Sequence, residues 1–177
     1  VSVMEGVEDI PEVVMTEGLT WDWETYPEYL DAIERRPRDI DFASQIPHSA
    51  VRVYAMGERG ANREPATPED LERMQAILER DLRAGAFGMS TGLEYVPGRY
   101  AEMRELASLG PVLARHDGVE MSHMRSEDAD DVRASIRELI AAAGPARAHV
   151  SHIKMVYGKG EQAADELLAF LRALRGS

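Results

Sequence analysis

Two histidines end two similar segments of the sequence, and their positions indicate a metal site. Residues 119–123 read VEMSH and residues 148–152 read AHVSH. If both segments are strands of a parallel sheet, His123 and His152 lie on the rim where the strands end, which is the functional edge of α/β folds. Neutral imidazole is the usual nitrogen ligand of zinc and similar ions. The pair predicts shared ligation of one ion, and two structural histidines bonded to loop backbone remain the alternative.

Three further side chains are expected on the same rim. Lys154 follows His152 by two positions, where it is suited to binding a substrate carboxylate, to forming a Schiff base, or simply to solvation. Residues 90–98 read STGLEYVPG and are rich in turn formers. They predict a rim loop that carries the phenol of Tyr95 and the carboxylate of Glu94. We expect Glu94 to be solvated rather than part of the site.

The other histidines are weaker candidates. His116 falls at a predicted helix end, and His149 is in mid-strand with the facing opposite to that of His152, so we expect both to be structural. His48 follows a predicted strand over residues 40–46, which places it at the same rim. The sequence has no cysteine, which excludes thiolate ligands, cysteine nucleophiles and disulfides within it.

Strands and helices alternate along the chain, and they must position these residues. The clearest helix start is Thr67-Pro68, an N-cap followed by proline at the first helical position, and that helix stops at Gly85. Predicted strands are residues 40–46, 86–91, 119–123 and 146–152. Other predicted helices are residues 27–35, 101–115, 127–143 capped by Ser126, 161–174, and a short one capped by Ser49. The alternation indicates βαβ units, either in an open doubly wound sheet or in an arc of a (β/α)8 barrel.

Composition narrows the class of protein. The 177 residues, 44% hydrophobic and 29% charged, suffice for one folded domain. A net charge of −12 argues against a nucleic-acid partner, which needs a basic face. No apolar run is long enough to cross a bilayer and no signal-peptide pattern opens the chain. The absence of cysteine fits a cytoplasmic protein. The sequence begins at Val1 rather than at an initiator methionine, and its first residues resemble the interior of a longer protein. We therefore expect it to be a fragment.

Six motifs spread over nearly the whole chain carry a family resemblance. The most specific are Ser-His-Met-Arg at residues 122–125 and Ser-His-Ile-Lys at residues 151–154. In chain order, the motifs are residues 4–11, 21–23, 56–60, 90–93 with Tyr95, 122–127 and 150–154. Together they resemble the D-aminoacylase branch of the amidohydrolase superfamily, the N-acyl-D-amino-acid deacylases. The resemblance implies a partial (β/α)8 TIM-type barrel, with residues 1–177 as the central part of one barrel domain and flanking strands missing at both ends.

The resemblance also implies an activity, which is metal-dependent hydrolysis of the amide bond of small-molecule N-acyl-D-amino acids. His123 and His152 match two metal ligands of a site that holds zinc, with one or two divalent ions in the complete protein. Tyr95 matches the tyrosine that hydrogen-bonds the reacting carbonyl, and Lys154 matches a lysine near the substrate carboxylate. The family's His-x-His pair, cysteine and late-strand aspartate have no counterpart in the sequence. We therefore expect the chain to be inactive by itself.

Two other functions fit the same residues. A class I aldolase-like barrel would use Lys154 as its Schiff base. A non-catalytic partial barrel would serve as a binding module, and the missing metal ligands favour that alternative. Chelator sensitivity on one side and borohydride trapping on the other separate the metal-dependent hydrolase from the aldolase.

Overall fold

Eight helices and four strands make up the part of the chain that the computed structural model describes, residues 10–155 and 160–175. The family motif at residues 4–11 falls almost wholly outside these ranges. The helices are α1 Glu12–Gly18, α2 Tyr26–Glu34, α3 His48–Met56, α4 Glu58–Ala61, α5 Pro68–Arg83, α6 Met103–Arg115, α7 Val132–Ala143 and α8 Gly160–Arg175. The strands are β1 Ile46–Pro47, β2 Gly88–Gly92, β3 Val119–His123 and β4 Arg147–Val150, and a 3₁₀ turn spans Gly98–Tyr100.

The four strands form one parallel sheet in the order β1-β2-β3-β4. In β2 and β3 the residues on one face, such as Met89 and Glu120, are fully buried, while Ser90 and Met121 on the other face are only partly buried. Within the described ranges, helices therefore cover one face of the sheet, whereas an open doubly wound sheet has helices on both. Sequential parallel strands with one helical layer are the arrangement of a (β/α)8 barrel arc.

The main core lies between this sheet and the helices α3, α5 and α6. Helix α5 begins after the predicted N-cap Thr67, and the structure adds a capping box in which the Thr67 and Asp70 side chains each accept a hydrogen bond from the other residue's backbone N–H. The largest buried cluster consists of Ile46, Val51, Ala55, Met56, Ala66, Met74, Leu78, Leu82, Met89, Leu109, Val112 and Leu113. Burial of this apolar surface is the main force that holds the helical layer on the sheet.

His48 stands directly after β1, as predicted, but its side chain is buried against α6. Its Nε2 atom lies 2.8 Å from Oε1 of Glu105, and Arg52 pairs with the same carboxylate. Burial raises the pKa of Glu105, but His48 and Arg52 outweigh that effect and hold this pKa below its ordinary value. The cluster joins α3 to α6 and gives His48 a structural partner.

Two predicted segment boundaries near β1 are wrong. The strand predicted over residues 40–46 is reduced to Ile46–Pro47, and the side chains of Ile40 and Phe42 are 77% and 45% exposed. Alternating apolar residues form a strand where a neighbouring element covers one face, and among the described residues no such cover buries these two. Ser49 does not cap α3, which begins one residue earlier with Pro47 as its N-cap.

Two further boundaries are wrong beside the predicted site. The helix predicted to start at Glu127 starts at Val132 instead, because residues 126–131 form a turn in which the Ser126 hydroxyl accepts a hydrogen bond from Asp128 N–H. The strand predicted to reach His152 ends at Val150. Both corrections lengthen the loops that carry candidate site residues. In the same described ranges, no helix is both long and apolar enough to cross a membrane.

Candidate metal centre

His123 and His152 lie side by side at the carboxyl edge of the sheet. His123 is the last residue of β3, and a hydrogen bond of 3.0 Å from Ser151 N–H to the Ser122 carbonyl continues the contact between the two segments as far as Ser151, the residue before His152. The ring centroids are 4.6 Å apart and the ring planes meet at 79°. The structure thus brings together the two imidazoles that the sequence pairs.

Each imidazole has a carboxylate at one of its ring nitrogens. Glu94 Oε2 lies 2.7 Å from Nε2 of His123, and Glu127 Oε1 lies 2.6 Å from Nδ1 of His152. In neutral imidazole, a carboxylate beside one nitrogen favours the tautomer with the proton there. Nδ1 of His123 and Nε2 of His152 then keep their lone pairs. The expectation that Glu94 is merely solvated is wrong.

Glu127 belongs to the loop after β3 and is shared by two residues of the loop after β4. Its side chain is only 4% exposed, and its Oε2 atom accepts a hydrogen bond of 2.9 Å from Nζ of Lys154. This hydrogen bond raises the pKa of Lys154, which keeps the side chain an ammonium. No well-aligned hydrogen bond from a described residue reaches Oε1 of Glu127, so its contact with His152 is a close approach short of an aligned bond.

Tyr95 is held beside His123 by the loop after β2. The two ring centroids are 4.8 Å apart. Leu93 N–H donates to the His123 carbonyl at 2.9 Å, and the Leu93 side chain is 1% exposed. Gly98 closes the loop where a Cβ atom would lie 2.5 Å from the Gly92 carbonyl oxygen, so only glycine fits. The loop therefore carries Glu94 and Tyr95 to the same imidazole.

Arg125, the last residue of the Ser-His-Met-Arg motif, was given no role from the sequence, and it ties the two rim loops together. Its guanidinium donates to the carboxylate of Glu138 in α7 at 2.9 and 3.0 Å, and to the carbonyls of Arg99 and Ala101 at 2.8 and 3.1 Å. Arginine is suited to this because its planar fork presents several donors in fixed directions. The loop bearing Glu94 is thereby fixed relative to the loop bearing Glu127.

The remaining histidines take no part in this cluster. His116 Nε2 lies 2.8 Å from Glu79, and hydrogen bonds from His116 and then Arg115 lower the pKa of Glu79 to about 2. The prediction that His116 is structural is confirmed. His149 is an exposed residue within β4, and it lies on the opposite face of the strand from Val150. Sequence reasoning gave Glu127 no role, although the residue lies within the family motif at residues 122–127.

One group of metal-donor side chains lies close together within the described ranges, and it consists of His123, Glu127 and His152. Its candidate ligand atoms all lie within 4.8 Å of one another. Two imidazoles and a carboxylate are donors that zinc accepts. The 2.6 Å contact between Glu127 and His152 is a hydrogen-bonding distance. The donor set therefore fits an ion held by the two imidazoles, with Glu127 orienting one of them.

The sequence of the chain is similar to that of curated deacylases. It is 31% identical to a D-aminoacylase from Alcaligenes xylosoxydans over 117 residues, which are 66% of this chain and 24% of that protein. The chain is a homologue of the N-acyl-D-amino-acid deacylases. It spans about a quarter of the length of this and two other curated deacylases that it matches. No protein-family model matches the chain.

Solved structures of these deacylases share the fold. The crystal structure of a D-aminoacylase that defines a novel subset of amidohydrolases matches with a TM-score of 0.76 and 28% identity, covering 86% of this chain and 32% of that one. An N-acyl-D-glutamate deacylase from Bordetella bronchiseptica, complexed with zinc and a phosphonate mimic of the tetrahedral intermediate, matches with a TM-score of 0.73 and 30% identity over 84% of this chain and 32% of that one. The predicted partial barrel of the amidohydrolase kind is confirmed.

Proposed function

We propose that this chain is the central part of one metal-dependent amidohydrolase barrel, which hydrolyses the amide bond of N-acyl-D-amino acids to a carboxylate and a D-amino acid. The observation that carries the proposal is the adjacency of His123 and His152, each with one ring nitrogen beside a carboxylate. Homology to deacylases supports it. The remaining strands and ligands of the barrel are proposed to lie outside these 177 residues. The absence of cysteine supports a cytoplasmic location.

Zinc is the proposed ion, with one or two divalent ions in the complete site. His123 and His152 would hold it through the nitrogens that Glu94 and Glu127 leave free. Zinc suits imidazole donors, and the related N-acyl-D-glutamate deacylase is complexed with zinc. When bound in such a site, the ion supplies an acidified water and polarises the amide carbonyl.

Two residues of the chain are proposed to act on the substrate. Tyr95, with its ring against His123, would donate its phenolic O–H to the reacting carbonyl oxygen and stabilise the negative charge that develops there. Lys154, paired with Glu127 near His152, would bind the substrate carboxylate as a point charge. The carboxylate would orient the substrate with its amide towards the histidines.

The contacts of Lys154 argue against the aldolase alternative. A Schiff-base lysine attacks as the free amine, which a lowered pKa favours. The Glu127 carboxylate does the opposite, since its hydrogen bond raises the pKa of Lys154. The binding-module alternative has one observation in its favour, because two imidazoles are fewer than the three protein ligands of a typical catalytic zinc.

The decisive experiment uses the complete protein that carries these residues. We expect bound zinc by elemental analysis, release of D-amino acid from N-acetyl-D-amino acids, and little release from the L-enantiomers. Chelation should abolish turnover and added zinc should restore it. Zinc binding without turnover on any member of a D-amino-acid panel would favour the binding module, and borohydride trapping of Lys154 would favour the aldolase.

The 177-residue chain expressed by itself provides a second test. We expect weak zinc binding and no detectable hydrolysis, because two imidazoles leave the ion's remaining positions to water. Isothermal titration with zinc measures the affinity. Tight stoichiometric binding, or turnover within about tenfold of the complete protein, would mean that the chain holds a complete site.

A further inference from the structure

The buried carboxylate of Glu127 connects His152, a proposed metal ligand, with Lys154, the proposed binding residue for the substrate carboxylate. Its two oxygens lie 2.6 Å from Nδ1 of His152 and 2.9 Å from Nζ of Lys154, and only 4% of the side chain is exposed. His152 and Lys154 are 44% and 57% exposed. One buried group from the loop after β3 thus holds two more exposed groups of the loop after β4.

We propose that Glu127 is a positioning residue that sets the distance between the metal and the substrate carboxylate. The inference rests on the proposed function and deepens it. In an N-acyl α-amino acid the carboxylate and the scissile amide nitrogen are attached to the same carbon, so the two groups have one short separation. The cation at Lys154 must therefore lie at a matching distance from the metal held by His152, and Glu127 fixes both partners at once.

The lysine needs this contact because its own stem is flexible. Four rotatable carbons connect the ammonium to the backbone, and an exposed lysine samples many rotamers. The hydrogen bond to Oε2 of Glu127 selects one position for Nζ. Pre-organising a binding group in this way improves affinity because less side-chain conformational entropy is lost when the substrate binds. Substrates with a carboxylate next to the amide benefit, and substrates without one do not.

The contact with His152 selects a ring tautomer. Oε1 of Glu127 is buried and receives no well-aligned hydrogen bond from a described residue, a state that is costly for a carboxylate oxygen. A small rotation of the imidazole brings Nδ1–H onto this oxygen, since the two atoms are already 2.6 Å apart. The proton then stays on Nδ1, and Nε2 is left for the metal, as in other carboxylate–histidine–metal arrangements.

The other carboxylate of the site provides a natural comparison. Glu94 contacts His123 through Oε2, is 49% exposed, and has no ion pair with Lys154. The charge of Glu94 acts on Lys154 only as a smaller, longer-range contribution than that of Glu127. Glu94→Gln should therefore weaken metal binding more than carboxylate binding, whereas Glu127→Gln should weaken both. Asp130→Asn removes a charge from an exposed position in the same loop as Glu127 and serves as the matched control.

The test compares these three variants in the complete protein. We expect Glu127→Gln to lower zinc affinity about 10–100-fold and to raise KM for an N-acetyl-D-amino acid about tenfold, with a smaller change in KM for the corresponding α-carboxamide. Asp130→Asn should change neither quantity. Thermal unfolding checks that each variant folds, and Glu127→Asp, which withdraws the carboxylate by one methylene, replaces Glu127→Gln if that variant does not.

A double-mutant cycle separates positioning from a general loss of structure. If Glu127 acts on the substrate through Lys154, then Glu127→Gln should raise KM no further in a Lys154→Met background. Its effect on zinc affinity should persist there, because that effect runs through His152. Additive KM increases, or behaviour of Glu127→Gln equal to that of Asp130→Asn, would overturn the proposal.

A measurement without metal keeps this inference distinct from the proposed function. Nitrogen-15 spectra of the metal-free, histidine-labelled protein report which ring nitrogen of His152 carries the proton. We expect Nδ1–H in the parent protein and a mixture of tautomers in Glu127→Gln. If the parent neither binds zinc nor hydrolyses the amides, the proposed function fails. If the tautomer of His152 is the same in parent and variant, the positioning role fails.

Discussion

Glu94 and His123 meet at 2.7 Å although 29 residues separate them in the sequence. The contact joins the loop after β2 to the end of β3, and the hydrogen bond from Leu93 N–H to the His123 carbonyl holds the same two segments together. Because the Glu94 side chain is 49% exposed, such a pair adds little to the free energy of unfolding. Its main physical effect is to orient the imidazole.

Replacement of Glu94 by glutamine should therefore alter metal binding more than stability. We expect zinc affinity to fall about 10–100-fold, while the unfolding temperature stays close to that of the parent. Competition with a chromophoric chelator measures the affinity. Glu102→Gln removes an equal charge from the same connection at a 61% exposed side chain and should leave affinity unchanged; equal affinities for both variants would exclude an orienting role for Glu94.

Replacement of either His123 or His152 by alanine tests ligation directly. In the complete protein each change should abolish amidase activity and lower bound zinc, because an incomplete ligand set holds the ion loosely. Elemental analysis and turnover of N-acetyl-D-amino acids are the measurements. The control is His149→Ala, a change within β4 three residues before His152, and this variant should retain bound zinc. Retention of zinc and turnover in the His123 and His152 variants would remove both residues from the site.

Lys154→Ala should weaken substrate binding more than it slows the bound substrate. A contact with the carboxylate is made in the ground state and in the transition state alike, so its loss raises KM with little effect on kcat. Steady-state kinetics on an N-acetyl-D-amino acid measure both constants. A fall in kcat at constant KM would instead assign Lys154 to the chemical step.

Local sequence signals predicted those elements whose ends are set by local interactions or whose apolar pattern matches their burial. The N-cap at Thr67 and the strand over residues 119–123 were predicted at the positions that the structure has. The strand over residues 40–46 was not, because alternation alone does not say whether another element covers it. The apparent helix start at Ser126 misled for a related reason, since the same residue types stabilise a turn.

The sequence predicted the two histidines of the candidate site but not the roles of its two carboxylates. His123 and His152 share a recurring Ser-His ending, which the sequence displays directly. The roles of Glu94 and Glu127 depend on the tertiary paths of two loops, which Arg125 fixes through contacts with Arg99 and Ala101. No local pattern specifies such paths. A buried carboxylate of this kind becomes visible only when the loops are placed in space.

Another buried carboxyl group, that of Glu120, has no hydrogen-bond partner among the described residues for either oxygen, and its side chain is fully buried within β3. Burial in an apolar environment raises its pKa to about 8. The folded state therefore holds this proton at pH values where the unfolded chain, with an ordinary carboxyl pKa, has released it. Over that interval the free energy of unfolding must depend on pH.

Glu120→Gln should remove this dependence. For an acid whose pKa is raised by folding, stability is greatest below the ordinary carboxyl pKa, falls as pH increases, and becomes constant above about pH 8. Relative to its own value at pH 5, the parent should therefore lose on the order of a few kcal/mol by pH 8, whereas Glu120→Gln should lose less, since its amide does not ionise. Urea denaturation across this range gives both curves, and subtracting them cancels the histidines common to both proteins. Glu72→Gln, at an exposed position of α5, is the control, and its free energy of unfolding should depend on pH as that of the parent does. Parallel curves for the parent and Glu120→Gln would show that Glu120 is already solvated or paired in solution.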